Sequence, residues 1–509
     1  MRSLRTNHDI IYGVTTKLTV WQQIRGLQSN FWFSNWMEAN ERLAFFGARA
    51  ILPLYMVYSV AQGGMGLTYT QKGAIFSIWA LVQCLVPMVS GGFTDQYGYK
   101  KSLCVAYSIN ILGYLAFAFA HGYWGALGAS CLIGLGTAIF KPPVQGTIAK
   151  ASTEDNSSIA WGIFYWMVNV GGFLAPLLAA NLRGETNFKL VFLCAAGVTA
   201  FNFFPTLFFY QEPEKSPDAK PKTIGQTFLD TITTLKDKNF LIFLAIFSGF
   251  WFMFMQLWDL LPNFIDEWVV SRDVAPFFAA ISKSNVLANG YVKPEILINI
   301  DSLAIIALML PISWCTGKLH PMVALIGGMV VSVAAFVSAG ATAAGWSVAL
   351  AIFIFALGEM MCSPKFSEYI GLTAPPDKKA LYMGYSNIPF AVGWGLGNLI
   401  SGYLYENLGS KINFARQYLT ETAGMGAEQA RALPVEKVME TMAGVINGGK
   451  GGTVEEATHL LWQMHHPWLV WVILGAVGLA ATGAMIVYYL RTKSHGISSA
   501  AAPQPSVAN

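Results

Sequence analysis

The sequence predicts an all-α membrane protein with twelve transmembrane helices in two six-helix bundles. Three observations carry this. Long apolar runs recur along the whole chain, one long polar break lies near its middle, and the two sides of that break share a pattern. Of the 509 residues, 54% are hydrophobic and 12% are charged, against roughly 25% charged in soluble domains. One soluble core does not account for such a composition. Twelve apolar runs begin near residues 31, 70, 102, 123, 159, 189, 239, 299, 322, 347, 381 and 467, each long enough to cross a bilayer at about 1.5 Å per residue.

The loops set the organisation. Residues 1–30 read as an N-terminal cytoplasmic segment, 31–211 as the first bundle, 212–238 as a cytoplasmic linker, 239–490 as the second bundle and 491–509 as a cytoplasmic tail. With both termini cytoplasmic, Lys100, Lys101, Lys150, the lysines from Lys215 to Lys238, Lys318, Lys378 and Lys379 all fall on the inner side. That distribution satisfies the positive-inside rule and predicts a multi-pass cell-membrane protein, in the inner membrane if the source is Gram-negative. Two outward insertions interrupt the pattern, around Asp273 to Asn299 and at residues 406–466, where alternating charge and KGGTVEEA predict extramembrane helices with a Gly-rich turn. The N-terminus carries Arg2, Arg5 and Lys17 without the basic, apolar and small-residue succession of a cleavable signal peptide. The six cysteines lie in or beside apolar segments and show no metal spacing. No metal, cofactor or nucleic-acid partner is expected. A membrane enzyme is disfavoured, because HExxH, GxSxG and a phosphate-binding glycine loop are all missing.

The halves look related. LGTAIFKP at Leu135 to Pro142 matches LGEMMCSP at Leu357 to Pro364, an offset of 358 − 136 = 222 residues, and the same offset carries Gly162 to Gly384 and Gly171 to Gly393. Spans four and five therefore correspond to spans ten and eleven. Related six-span halves predict a site near mid-membrane where they meet, with alternating access by rocking.

Charges in the spans mark that site. In FWFSNWMEANERLAFFGARAILPLYMVYSV, Glu38, Arg42, Phe45 and Arg49 share one helical face and Glu41 lies on its flank. Each charge costs roughly 2.5–3.5 kcal/mol at mid-bilayer, so the chain keeps them only where they meet counter-charges or a wet cavity. The alternatives are mutually neutralised structural ion pairs, or an Arg49 that snorkels to the interface. Lys141 precedes Pro142 and Pro143, which are expected to loosen the fourth helix. Its equivalent by the repeat is Ser363, one turn after Glu359 and just before Pro364, and a Lys141–Glu359 pair that forms and parts would make a gate. The bland alternative leaves Lys141 at the membrane boundary. Asn169, in FYWMVNVGGF, adds a donor and an acceptor, although a buried Asn more often bonds a neighbouring helix.

These residues resemble the proton-dependent oligopeptide transporters of the major facilitator superfamily. Glu38-x-x-Glu41-Arg42 followed by Phe45-Phe46-Gly47 resembles the first-span signature. Asp95-x-x-Gly98 with Lys100 and Lys101 resembles the superfamily's loop between spans two and three, where these residues latch helix ends. Phe164-Tyr165 through Asn169 and Gly171, and Glu359 through Ser363-Pro364, resemble the fifth- and tenth-span patterns. The resemblance implies the superfamily fold and proton-coupled symport of di- and tripeptides by a monomer. It implies that Arg42, Arg49 and Lys141 hold a peptide carboxylate, that Asn169 and Glu359 receive its ammonium, and that Phe45, Gln256 and Ser363 complete the pocket. It further implies that Glu38 and Glu41, beside Arg42, couple protonation to binding.

The chain departs from the family pattern at defined points. Phe45-Phe46 replaces the usual tyrosines, and Met255 stands before Gln256 where an acid is usual, leaving Asp259, one turn on, as a substitute proton carrier. The second-span tyrosine aligns near Gln83 or Cys84 and the eighth-span asparagine near Asp301 or Ser302. Between spans six and seven there is no room for the two extra helices of many bacterial members. Two alternatives follow: transport of another small charged or zwitterionic metabolite, or a transport-inactive receptor or scaffold.

Overall fold

The structure is a computed structural model that describes residues 19–88, 90, 94, 97–153, 156–213, 237–374, 382 and 384–494. Twelve long helices succeed one another among the described residues. The first half holds α1 (Ser29–Val57), α2 (Tyr69–Leu85), α3 (Tyr99–Phe119), α4 (Gly122–Ala151), α5 (Ser157–Arg183) and α6 (Phe188–Phe201), the last extended by Phe203–Phe208. The second half holds α7 (Lys238–Phe254, continued by Gln256–Asp259 and Leu261–Trp268), α8 (Ile300–Thr316, preceded by Pro294–Ile298), α9 (Pro321–Gly340), α10 (Gly345–Thr373), α11 (Asn387–Leu408) and α12 (Leu469–Ser494). Eleven of them begin within three residues of the expected start, and the start expected for α11 at 381 lies outside the described residues. Nine helices among the described residues are long and apolar enough to cross a membrane by length and composition. Of the other three, α1 carries its four charges, α2 is 17 residues long, and α11 is interrupted by glycine, asparagine and tyrosine. Residues 214–236 of the expected linker, Asp95, Lys378, Lys379 and the tail beyond 494 lie outside the described residues.

Helix ends follow from local chemistry. Thr68 caps α2 in a reciprocal box with Gln71, and the Asp237 carboxylate accepts from the amides of Asn239 and Phe240 at the start of α7. Gly98 has φ +102°, a conformation that glycine adopts freely, and starts α3. There Glu212 accepts from the amides of Tyr99 (2.5 Å) and Lys100 (3.0 Å), while Lys100 Nζ donates to the Leu207 carbonyl at 2.9 Å. An anion at a helix N-terminus and a cation at a helix C-terminus both offset helix dipoles. This end of the first half is thus tied to the residue that opens the linker.

The repeat is visible in the packing. A Cβ on Gly136 would press into Asn110 of α3, and one on Gly358 into Ser332 of α9. A Cβ on Gly171 would stand 2.9 Å from Arg42 Cβ on α1, and one on Gly393 would stand 2.8 Å from Trp251 Cβ on α7. Gly162 and Gly384 both meet nothing within 4 Å. The matched glycines therefore make equivalent close approaches, α4 on α3 as α10 on α9, and α5 on α1 as α11 on α7.

The expected loosening at Pro142 and Pro143 is not seen, for α4 is helical from Gly122 to Ala151. Pro142 leaves the Ala138 carbonyl without an amide partner, and Ser90 Oγ donates to that oxygen at 3.0 Å. A neighbouring hydroxyl thus repairs the ladder, one of the ways membrane helices tolerate proline. Helix α10 likewise continues through Pro364.

At the end of the molecule opposite the linker, the halves are joined by polar contacts. Arg183, at the end of α5, grips Glu295 with two bonds (2.5 and 3.2 Å), both side chains being almost fully buried. Tyr58 donates to Asp266 at 2.7 Å, Tyr69 to Glu267 at 2.7 Å, and Lys293 to the Ala180 carbonyl at 2.6 Å. The insertion at 406–466 forms helices Lys411–Glu421, Ala427–Ala432, Val435–Gly449 and Val454–His465, with a glycine turn before the Thr453 cap, as the sequence predicts. They are not solvated all round. Phe414, Leu419, Val438, Met442 and Leu461 join the core of the second half, and Trp268 donates to the Gly409 carbonyl at 2.8 Å. Ser59 also bonds Glu436, and that hydrogen bond holds the exposed Glu436 carboxyl below its ordinary range.

Breaking one partner of a buried ion pair typically costs about 3–5 kcal/mol, whereas replacing both with apolar groups is often neutral. Arg183→Met should therefore lower the unfolding temperature of the detergent-purified protein sharply, and Arg183→Met/Glu295→Met should recover most of the loss. Additive losses on differential scanning fluorimetry would mean that the pair is not a unit.

Candidate functional site

Between the halves lies a cavity of about 170 Å³. Phe46, Arg49 and Ala50 of α1 and Val168, Asn169, Gly172 and Pro176 of α5 line it from the first half; Trp258, Pro262, Glu295, Ile298, Asn299, Asp301, Ser302, Ile305 and Glu359 line it from the second. Of the residues singled out in the sequence, Arg49, Asn169 and Glu359 come together here.

Arg49 is the centre of the arrangement. Only 7% exposed, it forms an ion pair with Asp259, 210 residues away on the other half. Its guanidinium lies over the rings of Phe76 (4.7 Å), Trp79 (5.0 Å) and Trp394 (5.0 Å), an aromatic cage that suits a weakly hydrated planar cation. The second Asp259 oxygen accepts from Trp394 Nε1 at 2.5 Å and from Asn398 Nδ2 at 2.8 Å. Asp259, offered by the sequence as a substitute for the missing seventh-span acid, thus has one carboxylate oxygen on Arg49 of the first half and the other on α11 of its own half.

Lys72, which sequence reasoning did not single out, completes this cluster. Its Nζ donates to the Asp259 carbonyl at 2.7 Å and to Asn263 Oδ1 at 2.5 Å. That carbonyl is available because α7 breaks. The Asn263 amide bonds the Leu260 carbonyl instead, and Pro262 starts a new helical segment. Helix α2 reaches α7 and α11 because Gly73 lets it close on α11, where a Cβ would run into the Asn398 carbonyl. The signal for Lys72 was a lysine inside the apolar run TYTQKGAIFSIWALV.

The first-span signature forms a separate cluster away from the cavity lining. Arg42 pairs with Glu38 at 3.2 Å and with Glu41, while Thr137 of α4 donates to Glu41 at 3.2 Å. Phe45 and Phe46 flank the Arg42 guanidinium at 5.0 and 5.6 Å, and Phe45 packs edge-on against Trp79 in the core of the first half. Phe46, rather than Phe45, faces the cavity. Lys141 lies within electrostatic range of Glu38, Glu41, Arg42 and Cys84.

Two further expected contacts are placed elsewhere. Gln256 is fully buried, donating to the Phe252 carbonyl at 3.2 Å and accepting from Ser401 at 2.6 Å, so it ties α7 to α11 rather than lining the cavity. Ser363 sits beside Cys362, outside the lining. The Lys141–Glu359 pair is not formed in this conformation among the described residues, and Glu359 instead neighbours Asp301. Asn169 donates to the Tyr165 carbonyl at 2.8 Å.

Comparisons with known proteins agree with this architecture. The di-/tripeptide transporter of Lactococcus lactis subsp. cremoris is 30% identical over 233 residues, covering 43% of this chain and 45% of that protein. The match thus spans less than half the length of that relative. The multidrug resistance protein MdtH of Klebsiella pneumoniae subsp. pneumoniae is 23% identical over 367 residues, covering 72% of this chain and 84% of that one. The crystal structure of the peptide transporter POT in complex with sulfate has TM-score 0.65 at 18% identity, over 92% of this chain and 95% of that one. A POT family transporter in complex with 5-aminolevulinic acid has TM-score 0.67 at 15% identity, over 92% and 99%. These structures share the fold. The family model for the Major Facilitator Superfamily matches residues 42–398, well over half of the sequence, and the chain belongs to that superfamily.

Proposed function

We propose that the chain is a secondary active transporter that couples uptake of di- and tripeptides to protons by alternating access. The observation that carries this reading is the Arg49–Asp259 pair, formed across the two halves by an arginine that also lines the cavity. A substrate carboxylate reaching Arg49 competes with Asp259 for the same guanidinium. Protonation of Asp259 removes the counter-charge and frees Arg49 for the substrate, while loosening the joint between the halves. Proton and peptide then favour the same rearrangement, which is the requirement for symport.

The other charges take roles consistent with their positions. Glu38 and Glu41 hold Arg42, so a proton on either redistributes charge toward Lys141 and the cavity wall. Asn169 and Glu359 receive the ammonium, and Lys141 joins the carboxylate end in another conformation. Gly98, Lys100 and Lys101, with Asp95, act at the linker end as a conformational latch. With the linker and both termini cytoplasmic, the end sealed by Arg183–Glu295 is external. The protein works as a monomer in the cell membrane, with 31–211 and 239–490 as its moving halves. Support comes from the fold shared with peptide-transporter structures and from the di-/tripeptide transporter relatives. The superfamily and its solved neighbours are transporters rather than enzymes.

The direct test is uptake of a labelled dipeptide into proteoliposomes under an inward proton gradient. Uptake that a protonophore abolishes and other peptides compete supports the reading; no uptake by folded protein overturns it. Asp259→Asn should abolish gradient-driven accumulation while solute exchange across the same membrane retains a substantial part of its rate, and equal loss of both would remove the coupling role. Arg49→Ala should weaken inhibition by free dipeptides about tenfold more than inhibition by their C-terminal amides, the loss expected for a charge-assisted bond. An unchanged ratio would contradict carboxylate recognition by Arg49.

A further inference from the structure

The cavity has more hydrogen-bond acceptors than a single substrate ammonium at Asn169 and Glu359 would use. Four charged residues line it: Arg49, Glu295, Asp301 and Glu359. Arg49 is paired with Asp259 and Glu295 with Arg183, which leaves two carboxylates. Asp301 is 2% exposed, and its Oδ1 has no hydrogen-bond partner; Glu359 Oε2 is equally sealed and unpartnered. The two are neighbours. Asp301 lies one turn before Ala304 and Ile305, which pack against Ala356 and Met360 on either side of Glu359, and Asp301 is the neighbouring charge acting on Glu359.

The amides beside them add acceptors rather than donors. Asn299 gives its Nδ2 to the Phe173 carbonyl at 3.0 Å, leaving Oδ1 buried without a partner. Asn169 gives its Nδ2 to the Tyr165 carbonyl. One wall of the cavity thus presents two carboxylates and an amide oxygen that meet no donor from the protein. Buried carboxylates persist when paired or protonated. A ligand bearing several N–H groups and two positive charges satisfies every one of these atoms.

We infer that Asp301 and Glu359 together select a substrate with two positive charges at its amino end, such as a dipeptide whose first residue has an ammonium or guanidinium side chain. This rests on the peptide-transport reading and narrows it. Glu359 meets one cation and Asp301 the second, so Asp301 is the residue that discriminates.

The test compares KM for Lys-Ala and Ala-Ala uptake in proteoliposomes, with binding of both dipeptides and of 1,5-diaminopentane to detergent-purified protein followed by thermal shift. Wild type should favour Lys-Ala by about tenfold, the value of one charge-assisted contact. Asp301→Asn should bring that ratio close to one, and Asp301→Glu should keep it. A wild-type ratio near one overturns the inference. So does an unchanged ratio in Asp301→Asn, which would leave the two carboxylates as a shared proton site. Should Asp301→Asn fail to fold, the wild-type ratio decides alone. If wild type carries no dipeptide, the transport reading fails by itself. The selectivity inference then stands or falls on whether 1,5-diaminopentane shifts the wild-type melting temperature.

Discussion

Arg49 is a cation buried between two bundles, and much of the molecule is arranged to keep it there. A guanidinium removed from water demands a counter-charge with good geometry, because an unpaired buried charge costs several kcal/mol. Asp259 supplies that charge from the opposite half, held by Trp394 and Asn398 and approached by Lys72 through its own carbonyl. Three aromatic rings exclude water around the guanidinium. The pair therefore joins the two halves through one ion pair at the cavity.

The scaffold explains how such a joint is positioned and released. Close approach of α2 to α11 at Gly73 sets the distance across which Arg49 and Lys72 reach α7. The break of α7 at Leu260 to Pro262 turns backbone that is normally spent within the helix toward the first half. Farther toward the insertion end, Arg183–Glu295, Tyr58–Asp266 and Tyr69–Glu267 close the same seam. Gly136 and Gly358, and Gly171 and Gly393, give the two halves matching close helix contacts.

Much of this was legible in the sequence, for identifiable reasons. Apolar runs give the helices because lipid tolerates few alternatives, and a single offset of 222 residues gave the repeat because glycines at close crossings have no substitute. Arg49, Asn169 and Glu359 were marked by the cost of polarity in a span. Lys72 obeys the same rule, yet it falls one turn into its helix, where a lysine reads as interfacial. Gln256 was misplaced because a motif fixes its neighbours along the chain and not the rotation of the helix that carries it. Partners such as Arg183 and Glu295, 112 residues apart, depend on tertiary packing that no local pattern encodes. The helix stays continuous through Pro142 for a similar reason, since the hydroxyl of Ser90 that satisfies the freed carbonyl comes from distant sequence.

On the proposed mechanism, the Arg49–Asp259 pair holds the insertion end closed. The most direct test of this is the distance between spin labels at Ala61 and Lys437, both exposed at that end, measured by double electron–electron resonance in a cysteine-free background. The wild-type chain should give a short distance, and Asp259→Asn should shift the population toward a longer one. An unchanged distribution in Asp259→Asn would show that the pair is not the joint between the halves.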